Sequence, residues 1–206
     1  MSFRRLRPGR IPDPMQAHGA WVYLLVSALA GALCAARTGL LPALAGALFF
    51  VGAFLVAAAL SARRLLAGLG RALCGMVLAG LSLLLAARFG ASPRGLAIAL
   101  VALPPAAISG FFAERRGFQS EAALGFAVAA LAVAAPTSAC AGGVSLADGL
   151  LLVALLAPFF VWRALRVRRL LAAGITRSAL RRQGFREAAL ALTWTLIVVG
   201  FAHTRH

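Results

Sequence analysis

"GLLPALAGALFFVGAFLVAAAL", residues 39–60, runs for 22 positions without a charged side chain. The hydrocarbon core of a bilayer is about 30 Å thick and takes roughly 20 apolar residues in a helix. A helix satisfies its own backbone polar groups in that solvent, so this stretch predicts a membrane-spanning α-helix. The whole chain shares its character. Of 206 residues 62% are hydrophobic and 13% charged, and the mean hydropathy is +0.93. Soluble domains are only about half apolar, and one of this size could not bury so much apolar surface.

All 21 basic residues are arginine, and with five acids the net charge is +16. Such a balance suggests nucleic acid when it forms a patch on a polar domain. Here the arginines fall between apolar runs and no RNA- or DNA-binding motif accompanies them, so nucleic acid is not the expected partner. The reading that remains is a basic membrane protein whose partners are the bilayer and anionic lipid headgroups on its cytoplasmic side.

Outward from 39–60, further apolar segments lie at 20–36, 72–87, 95–113, 122–142, 146–162 and 187–203. The expected fold is all-α, a polytopic transmembrane helical bundle of about seven spans. The count is six if 72–87 or 187–203, both near the short limit, does not cross. Residues 1–18 read as a basic cytoplasmic tail, and 19–206 as a single transmembrane domain with a basic cytoplasmic segment at 163–186. The basic start and first apolar run also fit a signal sequence. Six apolar segments follow, however, and Leu33 rather than a small residue precedes Cys34, so the first segment is read as a retained helix.

Arginine is kept on the cytoplasmic side of membrane proteins. With the amino terminus inside, seventeen arginines fall on inside segments and four (Arg37, Arg88, Arg94, Arg205) outside. This predicts an N-inside, C-outside chain. The sixth helix is expected to continue past the membrane, break near Gly174 and resume as a short interfacial helix before the seventh.

Catalytic chemistry is hard to place. A membrane enzyme handling a diphosphate needs clustered carboxylates to hold Mg²⁺. No two of Asp13, Glu114, Glu121, Asp148 and Glu187 lie closer than seven positions. The Asp-rich NDxxD pattern of membrane prenyltransferases and the extended pattern of CDP-alcohol transferases are both absent. Glu121, Asp148 and Glu187 read as residues near helix starts, where a carboxylate complements the dipole. The three cysteines, Cys34, Cys74 and Cys140, lie far apart with no CxxC, so neither a metal site nor a cofactor is expected. The topology puts Cys34 and Cys140 both toward the outer face, compatible with a disulfide, while packing between helices is the plainer reading. Pro104–Pro105 and Pro158 remove backbone donors and predict kinks or breaks in the fourth and sixth helices. An internal echo pairs "RRGFQSEAAL" (115–124) with "RRQGFREAAL" (181–190), which convergence on a good helix start explains.

"HGAW" at 18–21 opens the first helix after a proline-bearing tail, and it resembles the start of the YwiC-like family of bacterial membrane proteins. "RRGFQSEAA" at 115–123 and "VWRALRVRR" at 161–169 are similar to that family's acid-bearing start of a later helix and its basic exit near the carboxyl end. Ala17 stands where the family's glutamate is expected, so no Glu–His pair is implied. The resemblance implies a multi-pass bacterial inner-membrane protein of a family without an assigned reaction. His18 can cap backbone groups, contact a lipid phosphate, or titrate as a general base. If it belongs to a ligand site, its expected companions at the cytoplasmic face are Arg115, Arg116, Glu121, Arg163 and Arg166, because arginine forks suit a phosphate or carboxylate. A non-enzymatic accessory or assembly role is expected first. A small-molecule transporter, and a degenerate transferase binding a phosphorylated lipid, are the alternatives.

Overall fold

The computed structural model describes residues 18–60, 65–117, 120–172 and 177–204. Among them all regular structure is helical: α1 (His18–Cys34), α2 (Leu40–Leu60), α3 (Leu65–Phe89), α4 (Pro93–Ala97), a 3-10 turn (Ile98–Ala102), α5 (Leu103–Arg116), α6 (Glu121–Ala132), α7 (Ala134–Ala141), α8 (Leu146–Ala172) and α9 (Arg177–Thr204). Six segments are long and apolar enough to cross a membrane, and α1 supplies a shorter apolar helix, Ala20–Cys34. The protein is a multi-pass helical bundle. The basic tail falls outside the described residues, as does the break expected near Gly174.

Several expectations about individual helices are corrected. The third and last helices are not short: α3 has 25 residues and α9 has 28, while α1 has 17. No separate interfacial helix precedes the last span, because α9 is continuous from Arg177 into the membrane segment. Pro104 and Pro105 do interrupt their span, lying in the first turn of α5 just after the 3-10 turn. Pro158 does not, and α8 runs through it. The interruption that sequence reading missed is at Val133, between α6 and α7, where the backbone stays right-handed helical (φ −65°, ψ −15°) but the hydrogen-bond ladder lacks a rung. Pro136 has no N–H to give the carbonyl of Ala132. One residue on, both the backbone N–H and the hydroxyl of Thr137 donate to Val133 O, at 3.2 and 2.9 Å.

This interrupted span is the centre of the bundle. Glu121–Ala141 is 72% buried, against 28% or less for the other five long spans. All eight residues of α7, "AAPTSACA", are buried, with α1, α2, α4 and α8 packed around it. Each of those helices meets α7 with a glycine. A Cβ on Gly31 of α1 would overlap Ala135 O, and one on Gly95 of α4 would overlap the Ala141 backbone nitrogen. One on Gly46 of α2 would stand 2.7 Å from Ala141 Cβ, and one on Gly149 of α8 2.6 Å from Cys140 Sγ. Small residues let helix backbones approach closely where lipid removes the hydrophobic drive between them. Hydroxyls add cross-links: Ser138 donates to Ala43 O at 2.8 Å, Ser109 to Ala123 O at 2.7 Å and Thr38 to Gly142 O at 2.7 Å. Farther out, α3 packs along α2, and α9 rests on α1 and α8.

The two echoed segments differ in structure. In the first, α5 ends after Arg116, Gly117 turns the chain at φ +83°, and Ser120 caps α6 by accepting from Ala123 N at 3.3 Å. In the second, Arg186 stands where Ser120 stands and cannot cap, and the stretch lies inside α9.

The glycine contacts set a test. Gly31→Ala should lower stability by about 1–3 kcal/mol through overpacking. Gly80→Ala on α3, where a Cβ meets nothing within 4 Å, should raise it by about 0.5–1 kcal/mol. Reversible unfolding in mixed micelles measures both, and equal effects would contradict the packing described.

Candidate functional site

The longest helices bring polar side chains together at the arginine-rich end. Arg163 lies one turn after the fully buried Phe160 on α8, and Glu187 lies ten residues after the start of α9. Arg163 Nε donates to Glu187 Oε2, and the residues are only 5% and 9% exposed. Gln183, one turn before Glu187, donates from Nε2 to the other carboxylate oxygen. Both oxygens therefore have a donor, which a buried carboxylate requires. Trp162 presents its ring 5.3 Å from the Arg163 guanidinium. On α1, the buried Tyr23 packs its ring 5.2 Å from that of Phe160, one turn before Arg163. Glu187 is thus not the helix-start residue that sequence reading made it.

Five of the six residues expected to form a site have described side chains, and each of the five has partners outside the set. Glu121 pairs with Arg168 Nη1 at 3.0 Å and with Arg169 Nε at 3.3 Å, tying the start of α6 to the end of α8. Arg115 and Arg116 are exposed and lie over Phe111 and Phe112, one turn earlier on their own helix, at 4.2 and 5.6 Å. Arg166 similarly lies 5.9 Å from the Trp162 ring. His18 opens α1, and its side chain is outside the described residues. Among the described side chains, no two of the six share an ion pair or hydrogen bond.

Two further polar groups escaped sequence reading. The hydroxyls of Ser27 on α1 and Thr195 on α9 are fully buried and have no hydrogen-bond partner. Single serines and threonines in apolar helices carry no sequence signal that separates them from the hydroxyls that bond their own helix. Glu187 did carry one, a glutamine one turn before it on a helix that could begin earlier than the apolar run.

At the opposite end, Ser145 and Asp148 cap α8. Asp148 N donates to Ser145 Oγ at 3.2 Å, and the serine hydroxyl donates to the Asp148 carboxylate. Cys34, Cys74 and Cys140 are free thiols. Among the described residues no three of His, Cys, Asp and Glu are grouped to hold a metal ion. Comparison of the chain with protein-family models, curated proteins and solved structures gives no match.

A buried pair and an exposed pair should respond differently to removal of a partner. Glu187→Gln leaves the buried Arg163 charge unpaired and should cost about 3–5 kcal/mol, whereas Arg163→Met with Glu187→Met should restore most of that stability. Glu121→Gln, at an exposed pair screened by solvent, should cost far less. Unfolding of the four proteins measures this, and equal losses for Glu187→Gln and Glu121→Gln would contradict the burial.

Proposed function

We propose that the chain is a YwiC-like multi-pass protein of the bacterial cytoplasmic membrane, N-terminus inside, with a non-enzymatic accessory or assembly role. The observation that carries this is the distribution of charge. Read along the sequence with the amino terminus inside, seventeen arginines belong to cytoplasmic segments and four to external ones, and no two of the five acids lie closer than seven positions, where a phosphate-handling centre needs them clustered. The arginine-rich end meets anionic headgroups of the cytoplasmic leaflet. Exposed Arg115, Arg116, Arg166 and Arg169 supply the charge, and the exposed rings of Phe111 and Trp162 sit beside them as interfacial anchors.

A second reading, passage of a small solute, is favoured by one feature. At Pro136 the buried central span has no N–H to give the Ala132 carbonyl, and helices interrupted in this way are tolerated where they line a cavity or a substrate path.

Enzyme reporters fused after Arg116 and Arg182 should be active as cytoplasmic fusions, and those after Arg37 and Arg94 as external ones. The reverse pattern would overturn the orientation. In vesicles each exposed arginine contributes about 1 kcal/mol near an anionic surface. Native mass spectrometry should therefore find phosphatidylglycerol retained over phosphatidylcholine, and the preference lost when Arg115, Arg116, Arg166 and Arg169 are changed to alanine. Retention indifferent to headgroup charge would overturn the lipid contact.

A further inference from the structure

Ser27 and Thr195 pose a problem in a membrane. A hydroxyl taken out of water without a partner is costly, and lipid supplies none. Other hydroxyls of this chain avoid the cost by bonding their own helix. Ser82 donates to Ala79 O at 2.7 Å, Thr137 to Val133 O at 2.9 Å and Thr204 to Phe201 O at 2.8 Å. Ser27 and Thr195 do neither this nor anything else, although both are fully buried.

Their placement is not scattered. Ser27 lies one turn above Tyr23 on α1, and Thr195 two turns above Glu187 on the buried face of α9 that also holds Ala191 and Val198. The rise of an α-helix puts them about 6 and 12 Å deeper than those two residues. The helices α1 and α9 pack on each other, and Tyr23 lies against Phe160, one turn before Arg163. Gly31, one turn beyond Ser27, touches α7 at Ala135, so Ser27 is also near the level of the interruption at Val133. Polar groups thus follow one another from the arginine-rich end toward the middle of the membrane: Gln183, Glu187 and Arg163, then Tyr23, then Ser27 and Thr195.

We propose that this seam between α1, α8 and α9 is a water-filled site entered from the arginine-rich end, with the Arg163–Glu187 pair at its mouth. It rests on the solute-passage reading above and forms the cytoplasmic half of that path. Water fits because it supplies donors and acceptors to the hydroxyls without bringing a charge. The Arg163 and Glu187 charges already cancel, so the seam needs no resident counter-ion.

Accessibility of introduced thiols tests the site. In a chain with Cys34, Cys74 and Cys140 changed to alanine, Ser27→Cys and Thr195→Cys are made singly. Leu24→Cys and Val198→Cys serve as buried apolar controls on the same helices. A thiolate attacks the sulfenyl sulfur of a charged, membrane-impermeant methanethiosulfonate, forming a mixed disulfide and releasing methanesulfinate, only where water reaches the thiol. Both test positions should react from the arginine-rich side about tenfold faster than the controls. Equal rates at all four positions, or reaction from the opposite side alone, would overturn the proposal. A second measurement keeps the native cysteines. If the hydroxyls are solvated, Ser27→Ala and Thr195→Val lower the unfolding temperature; if they have no partner, removal raises it, and the proposal fails. Labelling without solute uptake by proteoliposomes leaves the site standing and removes the transport reading. Absence of labelling removes the site whatever uptake shows.

Discussion

The bundle depends on how closely four helix backbones approach the eight residues Ala134–Ala141. Lipid offers no hydrophobic reward for bringing helices together, so association rests on dispersion contacts and on polar links between helices. Both need short distances. Glycine at 31, 46, 95 and 149 opens a notch in each surrounding helix, and α7 presents alanine, serine, threonine and cysteine to those notches. The same proximity brings Ser138 onto the Ala43 carbonyl. Pro136 interrupts the central span, yet this tight collar of neighbours holds it in place. A proline break on the exposed α3 would have had no such support.

A second constraint acts at the arginine-rich end. Arg163 and Glu187 are buried together, an arrangement that contributes little net stability against an apolar pair of similar size but heavily penalises the loss of either partner. Such a pair fixes which turn of α8 faces which turn of α9. Trp194, which donates to Leu155 O at 3.1 Å, and its stacked neighbour Phe159 fix the same two helices nearer the middle. Beyond the pair, α8 extends to Ala172 and its arginines reach Glu121, so the exposed charges are joined to the buried ones through one continuous helix.

The fold class was legible because lipid imposes a length and a composition, and the seven apolar segments correspond to six helical segments long enough to cross a membrane and to the shorter α1. What hydropathy could not show is where a helix extends beyond the lipid. The run 187–203 marks the apolar part of α9, but the ten residues before it include alanine, leucine, arginine and glutamine, all good helix formers, and the helix begins at Arg177. That shift moves Glu187 from a helix start to a buried interior position. The candidate site was less legible than the fold. Arg163 was singled out as a surface cation, while its partner, and the hydroxyls of Ser27 and Thr195, depend on pairings between helices far apart in sequence. Pro136 was passed over because it lies among small uncharged residues, whereas Pro158 looked disruptive yet does not end α8.

Carbene labelling from within the bilayer tests this account most directly, since it needs no substitution. A hydrophobic diazirine dissolved in the membrane is photolysed and the modified peptides are mapped. The account predicts modification on the lipid-facing residues of α3 (Val77, Leu81 and Leu84), at Leu100 and Val101, and on Leu196 and Ile197 of α9, all exposed apolar side chains. It predicts none between Val128 and Ala141. Modification of that central segment at the level of α3 would contradict the claim that the bundle is built around it.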